Sequence, residues 1–177
     1  MSEKQIVHPK LQTISEGNVV EYVLERFEDV KKSNKIKDLV SFQAMNKYML
    51  MAHNQSELNV LGNIVASYKK VEFSKILFDY EKHLKKSLED KPTIKKHSNV
   101  ILHIFGYFSN DFSQQEKEKF FELLTVYKNE NLSIGEILAE INPIVYRFNK
   151  TYLASQTYFL LYSNPQPGNI FEMLSKK

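Results

Sequence analysis

The chain has 177 residues, of which 42% are hydrophobic and 25% charged, with five Gly, five Pro and no Cys. That size and balance suit one globular domain able to withdraw roughly two thirds of its unfolded surface from water, and they exclude a disordered or fibrous chain. The missing cysteines exclude disulfides, thiolate zinc sites, iron–sulfur clusters and cysteine nucleophiles within the chain.

The net charge of +3 is small but unevenly spread. Residues 1–34 carry five Lys/Arg against six Asp/Glu, residues 35–100 twelve against seven, and residues 101–177 seven against eight. Within the basic middle, Lys82, Lys85, Lys86, Lys91, Lys95 and Lys96 cluster around Glu89 and Asp90. Such a cluster attracts polyanions through counterion release, and it is equally the ordinary solvated face of a helix. Only two arginines occur, Arg26 and Arg147, so bidentate reading of bases is not a feature of this composition.

Taken in chain order, residues 1–16 read as a flexible segment without an apolar core for a signal peptide. A first helix is expected over Gly17–Lys32, with Val20, Val23, Leu24, Phe27 and Val30 as its stripe. Asn34 is placed to cap a second, Leu39–His53, in which Phe42, Met45, Met49 and Ala52 face the core. Ser56 would cap a short helix turning Leu58, Leu61, Ile64 and Val65 inward, and a fourth would run from Glu72 to just before Lys91-Pro92. Thr93 would cap the helix holding HSNVILHIFGYFSN, and Ser113/Glu116 and Ser133/Glu136 have capping-box spacing for helices at 114–129 and 134–149. Pro143 should bend or divide the latter, and a last helix over Thr151–Tyr162 should stop at SNPQPGN. No strand alternation, repeat, linker or membrane span is visible. The chain therefore reads as all-α, a single multi-helix domain of about seven or eight helices over residues 17–167, with a tail at 168–177. A soluble, cytoplasmic protein is expected.

The helix after Thr93 has two faces. Val100, Ile101, Ile104, Phe105 and Phe108 cover one side, while Lys96, Asn99, His103, Gly106, Tyr107 and Asn110 form a narrow polar seam. A mid-helix glycine costs about 1 kcal/mol relative to Ala, so Gly106 suggests close approach of a backbone or ligand. Gln43, Asn46, Lys47, Leu50 and His53 share one side of the second helix. If the two seams face each other, Lys47, His53, Asn99, His103, Gly106 and Tyr107 line one pocket; otherwise these are satisfied histidines and solvated amides. His97 and His103 point about 120° apart, poor geometry for a shared metal, and no zinc, nucleotide-loop or serine-hydrolase motif occurs. Neither metal nor cofactor is expected.

Three stretches, LVSFQAMNKYMLMAHNQSELNVLGNIVA, HSNVILHIFGYFSNDFSQQEKEKFFELLTVYKN and YLASQTYFLLYSNPQP, together resemble the YbgA-like family, a bacterial domain of unknown function. The likeness covers about Leu39 to Pro167. It rests on Lys47, His53 and Leu61-Gly62; on Asn99, His103 and Gly106-Tyr107-Phe108; on Glu116-Lys117, Tyr127, Gln156 and Asn164-Pro165. Members of that family occur alone and fused behind desulfidases acting on thiolated pyrimidines, including 4-thiouridine in transfer RNA. The resemblance implies an RNA-binding element; taken with the lysine cluster it leads to the expectation of a non-catalytic domain that binds RNA, namely transfer RNA, with Lys82, Lys85, Lys86, Lys91, Lys95 and Lys96 on phosphates and Tyr107 or Tyr48 stacked on a base. The family often has histidines where this chain has Gln43 and Asn46, and commonly arginine at Lys96. Two alternatives stand: a small enzyme acting on a nucleotide or modified base through Lys47, His53, His103 and Tyr107, and a module that docks on a separate desulfidase through aromatic-rich helices.

Overall fold

The computed structural model describes residues 15–147 and 155–164. Most of the expected N-terminal segment, the first residues of the expected last helix and everything from Pro165 onward lie outside them. Nine α-helices run through the described residues: α1 (Glu16–Ser33), α2 (Ile36–Met45), α3 (Lys47–His53), α4 (Gln55–Ala66), α5 (Phe73–Glu89), α6 (Ile94–Phe108), α7 (Gln114–Lys128), α8 (Ile134–Arg147) and α9 (Thr157–Tyr162). Two 3-10 turns, Ser67–Lys69 and Ser109–Asp111, follow α4 and α6, and no strand occurs among the described residues. The protein is all-α, as the spacing of its apolar residues required.

Helix ends follow local capping chemistry. The Thr93 hydroxyl accepts from the Lys96 amide, and both capping boxes form, at Ser113/Glu116 and Ser133/Glu136. Two expected caps are reassigned. Asn34 closes α1 from a left-handed conformation with φ 53°, its amide bonded to the Val30 carbonyl, instead of opening α2. Asn54, not Ser56, caps α4, because its side-chain oxygen reaches the Glu57 amide. Pro143 does not divide α8, which continues to Arg147.

The main departure from the expected order is that residues 36–53 form two helices, parted at Asn46, whose side chain turns back to the Phe42 carbonyl at 2.8 Å. The buried Gln156 amide spans the junction: Nε2 donates to the Ala44 carbonyl at 2.7 Å and Oε1 accepts from the Tyr48 amide at 3.4 Å. Those two groups are the acceptor and donor of one helical i−4 pair, so a side chain from the far end of the domain braces the break. The break turns Met45 out to solvent, against expectation, and sinks α3 into the centre. Tyr48 through His53 are all buried, and α3 packs against α2, α4, α5, α6 and α9. A helix covered on every side has no need of amphipathic period.

Around this axle lie aromatic clusters. Phe27, Phe42 and Tyr80 join α1, α2 and α5 with ring centroids 5.4–6.0 Å apart, and Phe105 lies tilted against Phe120 at 4.6 Å between α6 and α7. At the start of α8, a Cβ on Gly135 would stand 2.1 Å from Asn164 Oδ1 and 3.2 Å from the Tyr162 carbonyl, so glycine permits the chain after α9 to close on α8.

Candidate functional site

The two polar seams do not converge on one pocket. Asn99, His103, Gly106 and Tyr107 lie along the outer face of α6, with His103, Gly106 and Tyr107 exposed and Asn99 half-buried through its bond to Gln55 Oε1. His53 is buried at the end of α3, and Lys47 lies exposed at its start, on the wall of a different groove between α2 and α4. The residues expected beside one another for the enzyme reading are thus divided among three surroundings.

Gly106 differs in kind from the expectation. Among the described residues, no atom outside its own helix backbone and chain neighbours lies within 4 Å of a Cβ built on it, so no neighbouring element packs there. Its face is an open one, and Lys95, Asn99, His103 and Tyr107, four residues apart, rise along it in one row. Between Lys96 and Asp111 there is no charged side chain. Leu102 adds apolar surface beside the row, and a groove of about 540 Å³ runs alongside Lys95, Ser98, Asn99 and Leu102, bounded by Lys128 of α7.

The lysine cluster surrounds the corner where α5 gives way to α6. Lys82, Lys85, Lys86, Lys91 and Lys95 are exposed. Lys85 pairs with Glu81 at 3.1 Å, and Lys86 with the buried Glu57 at 2.7 Å. Lys96 turns inward, donating to the His53 carbonyl at 2.7 Å and the Lys91 carbonyl at 3.3 Å, which ties the C-terminus of α3 to α6. Among the described residues no carboxylate comes within ion-pair distance of Lys82, Lys91 or Lys95, so these three stand outside the ion pairs that engage Lys85 and Lys86.

A second constellation, which the sequence reading did not assemble, is internal. His53 Nε2 lies 3.4 Å from the Tyr162 hydroxyl and 3.4 Å from Glu16 Oε2, and the Tyr162 hydroxyl donates to Glu16. Next to it, His97 Nδ1 bonds the Tyr158 hydroxyl at 2.6 Å, and the His97 ring meets that of Tyr162 edge-on at 5.2 Å. Burial holds His53 at a pKa of about 4, helped by the charge of Lys96, and holds His97 at about 4, helped by His53. Burial also raises Glu16, opposed by the Tyr162 hydrogen bond and the charge of Lys91. With Tyr162 donating to Glu16, His53 presents Nε2–H to that pair and leaves Nδ1 a buried lone pair without a partner. The two imidazoles are thus held neutral where α1, α3, α6 and α9 meet. The sign of this cluster was present in the sequence: His97, Ile101, Ile104 and Phe108 share one helical face, and Tyr158 and Tyr162 are four apart.

Among the described residues no group of His, Asp or Glu is placed to hold a metal ion, and no helix is long and apolar enough to cross a membrane. The aromatic-rich helices offered for docking are mostly interior. Phe120, Leu123, Leu124 and Tyr127 of α7 and Tyr158, Phe159 and Leu161 of α9 are buried, leaving Phe121 and Leu160 outside.

This helical architecture with its centrally buried α3 spans the stretch that matches a known family. Residues 47–163 match the family described as "Protein of unknown function (DUF1722)", and the chain belongs to it. It is also 23% identical to "Uncharacterized protein YbgA" of Escherichia coli (strain K12) over 125 residues, covering 70% of this chain and 74% of that protein. The chain is thus a YbgA-like protein, of a family without an assigned function. No solved structure matches it.

Proposed function

We propose that this chain is a non-catalytic RNA-binding domain, for transfer RNA, that takes an unpaired segment along the outer face of α6. The observation that carries this reading is the row Lys95–Asn99–His103–Tyr107, exposed except for the half-buried Asn99, free of acidic residues and beginning just after the α5–α6 junction that holds Lys91. At 1.5 Å per residue the row is about 18 Å long. Lysines at its head meet phosphates, amide and imidazole in its middle offer hydrogen bonds, and Tyr107 offers a ring on which an unstacked base can lie. Gly106 leaves that ring approachable by giving the strand room beside it. On the resemblance to domains fused behind desulfidases, the RNA bound would be a thiolated transfer RNA.

Filter retention of bulk transfer RNA at low salt tests this, comparing the protein with its Lys82→Ala, Lys91→Ala, Lys95→Ala triple variant. All three side chains are exposed and outside ion pairs, so the variant keeps its fold. At least a tenfold loss of retention is expected. Equal retention by both proteins, or none by either, would remove the proposal.

A further inference from the structure

The groove between α2 and α4 is separate from the α6 face and holds about 750 Å³, within the size range of small-ligand sites. Val40, Leu58 and Val65 give it apolar surface, and Gln43, Lys47, Asn59 and Asn63 its polar groups. Tyr80 of α5 is wholly buried and hydrogen-bonded to Gln43 Oε1. Burial keeps that phenol protonated, and a buried O–H has to find an acceptor. The bond therefore settles which way the Gln43 amide faces. Its oxygen is held on Tyr80, and Nε2 is turned toward Gly62, 3.8 Å from where a Cβ there would stand.

Beside Gly62 the groove therefore offers N–H donors from Gln43 and Lys47; Asn59 and Asn63 add amides that can donate or accept, and among the described residues no carboxylate lines it. Its complement is a flat body that rests on aliphatic walls, accepts a hydrogen bond on its edge and carries an anionic group. We propose that this groove binds a nucleotide by the edge of its base that carries the purine 6 or pyrimidine 4 substituent, with Gln43 favouring an oxo group there (guanine, uracil) over an amino group (adenine, cytosine) and Lys47 pairing with phosphate. The choice of a nucleotide rests on the RNA reading above; the preferred edge rests on the Gln43 amide, whose orientation Tyr80 fixes. Tyr80 acts here as a positioning residue.

Saturation-transfer NMR with GMP and UMP against AMP and CMP reads this directly. The oxo pair should bind about fivefold tighter than the amino pair, the worth of about one neutral hydrogen bond. Tyr80→Phe frees the amide to turn over, and the preference should fall toward unity while affinity for the amino pair rises. Gln43→Glu, on a half-buried side chain that tolerates change, replaces donor by acceptor and should reverse the preference. Lys47→Ala should weaken all four alike. Equal binding of all four by the native protein, no binding of any, or a preference that survives in both Tyr80→Phe and Gln43→Glu overturns the inference. Transfer RNA retention without this discrimination would sink the groove and leave the α6 reading standing; discrimination without retention would do the reverse.

Discussion

Gly106 shows how one residue can weaken a fold and prepare a surface. It sits inside α6 with open space where a Cβ would go, so Ala there should add about 1 kcal/mol of stability, seen as a higher urea midpoint at unchanged slope. On the present account the same Gly106→Ala protein should bind transfer RNA more weakly, because the methyl group occupies space beside Tyr107. A gain in stability with unchanged binding would mean that the glycine has no part in recognition. The buried histidines make a second residue-scale prediction. Both have folded pKa values near 4 against an ordinary 6.5, so between those limits the unfolded chain binds more protons and stability falls as pH is lowered from 6.5 toward 4. The loss approaches about 3 kcal/mol for each histidine at 1.36 kcal/mol per pH unit. Glu16, raised by burial, acts in the opposite sense and offsets part of it. Urea titrations across this range should show the decline, and a His53→Gln, His97→Gln protein should show a flatter profile; parallel profiles would contradict the assignment. Of these residues the α6 face was legible from its period. The histidine cluster was not assembled, because its partners Glu16, Tyr158 and Tyr162 come from helices whose mutual packing no local pattern reveals.

At the scale of elements, the break between α2 and α3 decides what is core and what is surface. The apolar spacing of residues 39–53 reads through Asn46 without interruption, which is why the sequence suggested one helix with Met45 inward. The brace, Gln156, is 108 residues from Tyr48 and has no local signature. Gln156→Ala should remove both of its hydrogen bonds and leave a void, costing about 2 to 4 kcal/mol in urea unfolding. A cost below about 0.5 kcal/mol, typical of an exposed site, would show that the junction holds itself. Caps that depend on residues three apart, at Thr93, Ser113 and Ser133, were readable for the opposite reason: donor and acceptor lie within a single turn.

For the molecule as a whole, fold class and the location of surplus charge followed from the sequence, since both are sums over many residues. Which lysines remain available did not follow. Lys86 is matched by Glu57 only because α4 packs on α5, and Lys96 is drawn inward by the end of α3. The effective basic corner is therefore smaller than the six lysines suggested, and salt dependence should show it: the slope of log K against log salt for transfer RNA should drop by about 0.7 to 0.9 for each of Lys82, Lys91 and Lys95 replaced. Lys85→Ala should change it less. Identical slopes for all four variants would place the contact elsewhere.

Ultraviolet cross-linking of bound transfer RNA, followed by mass spectrometry of the tryptic peptides, examines the site itself. The RNA adduct should fall on the peptide His97–Lys117, which holds His103 and Tyr107. Cross-links confined to other peptides, at an RNA concentration that saturates retention, would contradict an α6 recognition surface.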